Sequence, residues 1–362
     1  MLSSQIIQAS IEELRSITKT DLCVMDSMGN EVASTVEQIR ISTEQIREFS
    51  QSAADSQMIS GSCLLKVAQD GEPVYLVLAS GSEDAYMVGK IAASQLRQLM
   101  TAYKEKLDKD SFLQNLILDN LLLVDIYNRA KKLLIPIEGS RAVFLIEADC
   151  EDNGEIMELL RGLFVSYNGD YLTAVEEKSI ILIKSLAQGE GYQELKDTAD
   201  MIVAMVNTEV MVNVRVSYGT IVQELKDVSK SFKEAKLALD VGRIFYAEKN
   251  VMAYHALGIG RLIYQLPESL CRIFIQEIFG SEKIPEEIDE EILFTVQKFF
   301  ENNLNISETS RKLFVHRNTL VYRIEKVQKA TGLDMRIFED ALTFNIALMV
   351  ANYLKYLETT DL

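Results

Sequence analysis

The chain has 362 residues, 48% of them hydrophobic and 25% charged, with a formal net charge of −17. That balance is the signature of a folded protein, excludes one dominated by disorder, and leaves room for two or three domains of about 100–200 residues each. No apolar run reaches the roughly 18 residues of a membrane span, and Glu12, Glu13 and Arg15 interrupt any signal peptide, so a cytoplasmic chain that stays off the membrane is expected.

Residues 2–17 carry apolar side chains at Leu2, Ile6, Ile7, Ile11, Leu14 and Ile17, the stripe of an amphipathic helix. Residues 21–25 and 31–34 flank Met28-Gly29-Asn30, and residues 63–68 and 74–79 flank Gln69-Asp70-Gly71; both patterns predict hairpins. Residues 35–58 between them are polar. Short antiparallel strands set among helices suit a small PAS- or GAF-like sensory module over 1–84. From residue 85 to about 133 a helical stripe runs through Ala92, Leu96, Leu99, Tyr103, Leu107, Leu113, Leu116 and Leu121. This connecting helix suits either a coiled-coil seam in a homodimer or packing on its own domain.

Residues 134–256 predict the order β-α-β-β-α-β followed by a long helix over 228–245, a compact α/β plait with its helices on one face of an antiparallel sheet. Strand signals then fade, so 257–362 reads as all-α. The expected fold is therefore multidomain, α/β followed by all-α.

The acidic average conceals a basic segment. Residues 306–330 hold six cations (Arg311, Lys312, Arg317, Arg323, Lys326, Lys329) against only Glu308 and Glu325. An acidic body with one basic segment points to a local contact with double-stranded DNA. A short helix over 306–314, capped by Asn305 or Ser307, a tight turn at Val315-His316, and a second helix over 317–329 make a helix-turn-helix. Leu320, Ile324 and Val327 recur at i, i+4 and i+7 and must face the core. Asn318, Tyr322, Glu325, Lys326 and Lys329 then face away. Arg317 and His316 stand at the helix start, where a recognition helix meets base edges; Arg317 suits guanine and Asn318 adenine, while Thr319, Arg323 and Lys326 suit phosphate.

The run Asn305-Ile306-Ser307-Glu308-Thr309-Ser310-Arg311-Lys312-Leu313-Phe314-Val315-His316-Arg317-Asn318-Thr319-Leu320-Val321-Tyr322-Arg323-Ile324, with Thr331-Gly332-Leu333-Asp334 after it, resembles the C-terminal helix-turn-helix of the PucR and carbohydrate-diacid-regulator (CdaR) family. That reader is similar to the factor for inversion stimulation, which implies DNA contacts at His316, Arg317, Thr319 and Arg323. Phe314 stands where many helix-turn-helix units carry Gly. The plait, through Val216-Ser217-Tyr218-Gly219 and Ser231-Phe232-Lys233-Glu234-Ala235, resembles the family's degenerate GGDEF-like domain. Val24 to Ser34 resembles the start of its sugar-diacid recognition domain. The resemblance implies a ligand-responsive transcription regulator of sugar-diacid or related metabolite utilisation.

Other chemistry is weakly signalled. A working diguanylate cyclase needs a Gly-Gly turn beside Mg²⁺-holding acids, whereas the matching hairpin here is Val175-Glu176-Glu177-Lys178-Ser179. A nucleotide-binding or cyclic-dinucleotide signalling protein is therefore the rival reading, and no catalytic residue is assigned. Cys23, Cys63, Cys150 and Cys271 form no CxxC pair and read as buried thiols; no metal or cofactor is expected. His255 reads as structural. A small-molecule effector would need cations in the first module; Arg40 and Arg47, seven apart, are the candidates, with a solvated face the alternative.

Overall fold

The computed structural model describes residues 2–36, 41–69, 72–148, 153–164, 169–176 and 179–360. The chain divides into two compact units, Met1–Phe112 and Leu113–Leu362.

The first unit opens with α1 (Ser4–Thr18), capped by Ser3, followed by β1 (Asp21–Asp26), β2 (Glu31–Ser34), α2 (Thr43–Gln51), β3 (Ser56–Ile59), β4 (Ser62–Gln69), β5 (Glu72–Ser80) and the start of α3 (Ala85–Ile117). The strands form one antiparallel sheet in the order β2-β1-β5-β4-β3. Strand side chains alternate between faces. Leu22, Val24, Leu65, Val67 and Val77 meet Ile7 and Ile11 of α1 and Ala92, Leu96 and Met100 of α3. Cys23, Met25, Leu64, Leu76 and Leu78 point the other way, against Ile46 and Phe49 of α2. Asp26 holds the β1–β2 turn by accepting from the backbone N–H groups of Met28 and Asn30, both at 2.8 Å.

The second unit takes the end of α3, then α4 (Leu123–Lys132), β6 (Glu138–Ala148), α5 (Gly154–Phe164), β7 (Tyr171–Glu176), β8 (Ser179–Ser185), α6 (Tyr192–Glu209), β9 (Val214–Tyr218), β10 (Val222–Glu224), α7 (Val228–Phe245) and β11 (Val251–Ala253). The expected single connecting helix to residue 133 is broken after Ile117. Asp119 takes a positive φ of 62°, and its carboxylate accepts from Lys233 Nζ of α7 at 2.6 Å.

The sheet order is β11-β9-β6-β8-β7, with β10 also on β6 and β11 parallel to β9. It is therefore mixed rather than antiparallel throughout. The helices also divide between its faces, correcting the one-faced plait. Phe144, Ile146, Leu182, Val214 and Val216 pack under α5 and α6. Ser217, one residue out of phase with Val216, donates to the carbonyl of Ala235 at 2.8 Å, which puts α7 on the opposite face. The Val216–Gly219 and Ser231–Ala235 motifs meet at this point. Ser231 Oγ accepts from Val143 N and donates to Thr220 O, and Glu234 accepts from Thr220 N at 2.8 Å.

The all-α remainder is α8 (Ile259–Tyr264), α9 (Glu268–Phe279), α10 (Glu290–Glu301), α11 (Ile306–Lys312), α12 (Arg317–Thr331) and α13 (Phe338–Thr360). Its core gathers Cys271, Ile275, Ile292, Val296, Phe299, Phe344 and Val350. Cys23, Cys63 and Cys271 are buried free thiols, and burial pushes that of Cys23 up to about 11; Cys150 lies outside the described residues. No helix among the described residues is long and apolar enough to cross a membrane.

A Cβ on Gly219 would sit 2.0 Å from the carbonyl oxygen of Ser231, whereas one on Gly162 in α5 would meet nothing within 4 Å. Gly219→Ala should therefore destabilise the plait by about 3 kcal/mol, and Gly162→Ala should stabilise it by about 0.5–1 kcal/mol. Urea unfolding of the two variants beside the parent measures both.

Candidate nucleic-acid interface

The reader begins at Asn305, whose side chain accepts from Glu308 N at 3.0 Å and closes the start of α11; Ser307 does not serve as the cap. Lys312 ends α11 and bonds back to Asn302 Oδ1 at 2.6 Å. The turn that follows is longer than the two residues expected and runs through Leu313, Phe314 and Val315 to His316. Phe314 lies at φ 55° with 96% of its surface exposed. A bulky side chain in the left-handed region costs roughly 1–2 kcal/mol, and nothing packs on this ring to offset it.

His316 is extended and caps α12, its Nδ1 accepting from Asn318 N at 3.3 Å. The helix ends where Gly332 adopts φ 78°. Leu320, Ile324 and Val327 are at most 1% exposed and join Val296, Phe299 and Phe344 in the core. At about 100° per residue, this stripe forces positions 318, 322, 325 and 329 outward. Arg317, Asn318, Thr319 and Lys329 are exposed, Tyr322 is 60% exposed and Lys326 is half-buried. Arg317, Lys326 and Lys329 make no ion pair among the described residues. Neighbouring Arg311 pairs with Glu308 at 3.2 Å.

Arg323 differs from the expected phosphate contact. Its side chain is only 15% exposed; Nη1 donates to Thr295 Oγ1 at 2.9 Å and Nη2 pairs with Glu291, both on α10. Helical phase explains the placement: position 323 lies about 60° from Leu320, on the flank that meets α10. It braces the reading helix against its support. Thr295, fully buried, and Glu291 are the residues the sequence reading missed, because neither carries a signal outside this pairing.

A second brace follows α12. Asp334 accepts from Arg336 Nε and Nη2, each at 2.7 Å, and from Arg336 N at 3.0 Å. The Arg336 guanidinium holds the Asp334 carboxyl below the usual carboxylate range.

The effector candidates are not brought together. Arg40 lies outside the described residues, and Arg47 is exposed with Nε on Met28 O at 3.2 Å. Lys66 bonds Ser52 O and lies 5.0 Å over the Phe49 ring. A groove of about 650 Å³ in the first unit is lined by Leu2, Val74, Tyr75, Met100, Glu72 and Lys104, a largely apolar set. In the second unit the β7–β8 turn at 177–178 lies outside the described residues, and among the described ones no His, Cys, Asp or Glu cluster could hold a metal.

An outward polar helix behind a short capped helix, carried after an α/β plait, defines a helix-turn-helix protein. Residues 292–350 match the PucR C-terminal helix-turn-helix domain, and residues 120–241 match a GGDEF-like domain. The chain thus carries a helix-turn-helix domain of the PucR type and a GGDEF-like domain before it, and is similar to PucR/CdaR regulators. It is 33% identical over 135 residues to the purine catabolism regulatory protein of Bacillus subtilis, covering 37% of this chain and 25% of that one. It is 22% identical over 310 residues to the carbohydrate diacid regulator of Escherichia coli, covering 81% and 77%. It is 21% identical over 283 residues to the proline-responsive transcriptional activator PutR of B. subtilis, covering 74% and 67%. The chain thus spans only a quarter of the first of these relatives and about three quarters of the second.

Two stability effects follow from the braces. Arg323→Ala should cost the helical domain about 1–2 kcal/mol, the worth of a half-screened charged hydrogen-bond pair, read as a lower denaturation midpoint. Asp334 has a depressed folded-state pKa, so its contribution is full above the unfolded value near 3.9 and is lost as the pH falls through the folded value. Asp334→Asn should be less stable than the parent at pH 7, with the gap closing below about pH 4; melts across that range would show it.

Proposed function

We propose that the chain is a ligand-responsive transcription regulator that lays α12 in the major groove of duplex DNA. The observation that carries this is the outward face of α12, with uncommitted Arg317 and Lys326 flanking Asn318 and Tyr322 opposite a fully buried stripe. Arg317 and Asn318 read base edges, by bidentate pairing with guanine and adenine. His316, Thr319, Tyr322 and Lys326 contact phosphate and sugar, which fixes the register of the helix without reading sequence. Arg323 serves the interface from behind by fixing α12 on α10. The acidic remainder of the chain repels phosphate and confines the contact to this helix.

The first unit is a PAS/GAF-type sensory module for a small metabolite; its sheet, closed by helices on both faces, supports that role. Sugar diacids are the first class to test, because the E. coli relative is named for them. Two copies act together, since helix-turn-helix proteins read half-sites about one helical turn apart. The strongly exposed Leu122, Leu123 and Val124 offer an apolar surface for self-association.

Duplexes enriched from a random pool provide the test. Arg317→Ala should cost about 1–3 kcal/mol of discrimination at one base pair. Lys326→Ala should weaken all duplexes alike and reduce the salt slope by about one. If gel-shift titrations left both variants indistinguishable from the parent, the assignment of α12 as the reader would fail.

A further inference from the structure

The second unit has a groove of about 710 Å³ between α6 and the edge strand β11, at the opposite edge of the sheet from the β7–β8 hairpin. Its size is that of a small-molecule site. Tyr218, the last residue of β9, lines it. That side chain is 2% exposed, and its hydroxyl has no hydrogen-bond partner among the described residues. Among the described residues the one fully buried side-chain polar atom without a partner is Arg141 Nε, so the Tyr218 hydroxyl opens onto the groove, where a ligand can meet it. Burial, reinforced by Asp200, Asp197 and Tyr192, pushes the Tyr218 phenol up to about 12. The hydroxyl keeps its proton and can donate it, and of the groups that perturb it Asp200 and Tyr192 line the groove.

The walls define what would fit. Tyr192 and His255 pack at a 42° tilt with ring centroids 4.1 Å apart, and Tyr218 lies 6.2 Å from the same imidazole. Asp200 accepts, Lys196 and Lys249 donate, and Gln193, whose Nε2 donates to Asp197 at 2.9 Å, offers its carbonyl oxygen. Gly191 caps α6 without a side-chain acceptor, leaving first-turn N–H groups open. β11 ends the sheet, so its outer backbone groups have no strand partner among the described residues. Aromatic rims recognise a flat ring. Asp200 on the groove, with Asp197 just behind it holding Gln193, offsets the two lysines and suits a ligand without large net charge. The mixed donors and acceptors suit a heteroatom-rich edge.

We infer that this groove binds a neutral, planar nitrogen heterocycle of nucleobase size, stacked at Tyr192 and His255 and hydrogen-bonded to the Tyr218 hydroxyl and the Asp200 carboxylate. The site is separate from the first-unit effector module and does not depend on the DNA-binding reading.

The test is calorimetric titration of the full chain with adenine, hypoxanthine, cytosine and uracil, beside benzoate and malate. At least one nucleobase should bind with a Kd below about 1 mM, while the two carboxylates should not bind in that range. Tyr218→Phe removes one oxygen that has no protein partner. It should leave the ligand-free Tm within about 2 °C of the parent, yet weaken the binding nucleobase about 3–10-fold. Asp200→Asn, at an exposed position, should weaken it by a similar factor. The proposal is overturned if none of the four bases binds, or if both variants bind as tightly as the parent.

Discussion

Burial of three side chains fixes everything the helical domain presents to its surroundings. Leu320, Ile324 and Val327 are held by Val296 and Phe299 of α10 and Phe344 of α13. Fully burying each stabilises the domain by about 1.5–3 kcal/mol. Rotating α12 by one residue, about 100°, would expose the stripe and drive Thr319 and Lys326, or Gln328, into a packed interior. The direction of the polar face is therefore a consequence of core packing. Arg323 adds a directional restraint to an otherwise non-directional one. Its fork ties α12 to Thr295 and Glu291, so translation of the helix along α10 breaks hydrogen bonds as well as contacts.

The plait and the helical domain are joined by more than chain connectivity. Asp240 near the end of α7 accepts from Tyr264 Oη of α8 at 3.2 Å, and Tyr353 Oη of α13 donates to the carbonyl of Tyr264 at 3.0 Å. Arg243, one turn beyond Asp240, pairs with Glu147 of β6. Burial is the main reason the Asp240 carboxyl is raised above its ordinary range, and it raises the Tyr264 phenol as well. A polar chain thus runs from the sheet through α7 to the helices that support the reader. Such networks specify geometry when their members are satisfied.

Much of this was legible in the residues. The i, i+4, i+7 spacing of Leu320, Ile324 and Val327 gave the inward face of α12, and Gly29 marked the first hairpin. Other features depend on long-range partners that periodicity does not encode. Helical phase sets 323 nearer the buried stripe than 326, but that α10 arrives on that flank with Thr295 and Glu291 is not encoded locally. The face taken by α7 is decided by Ser217 and Ser231, two small polar residues whose roles emerge once sheet register is known. The connecting helix keeps its apolar spacing past Ile117, yet Asp119 breaks it, because the clasp by Lys233 is tertiary. The groove beside Tyr218 was invisible because it gathers residues from α6, β9 and β11.

The core around α12 also fixes where this domain can be cut. The family match ends at residue 350, but α13 runs on to Thr360, and Tyr353 and Leu354 beyond that point are buried with Ile263, Cys271 and Ile275 from before residue 292. A fragment trimmed to the matched limits would carry the whole reading helix on an open hydrophobic wound. A fragment that keeps α8 through the last turns of α13 retains those partners, and extending it back to α7 also keeps Ile244 and Phe245, which pack on the same core.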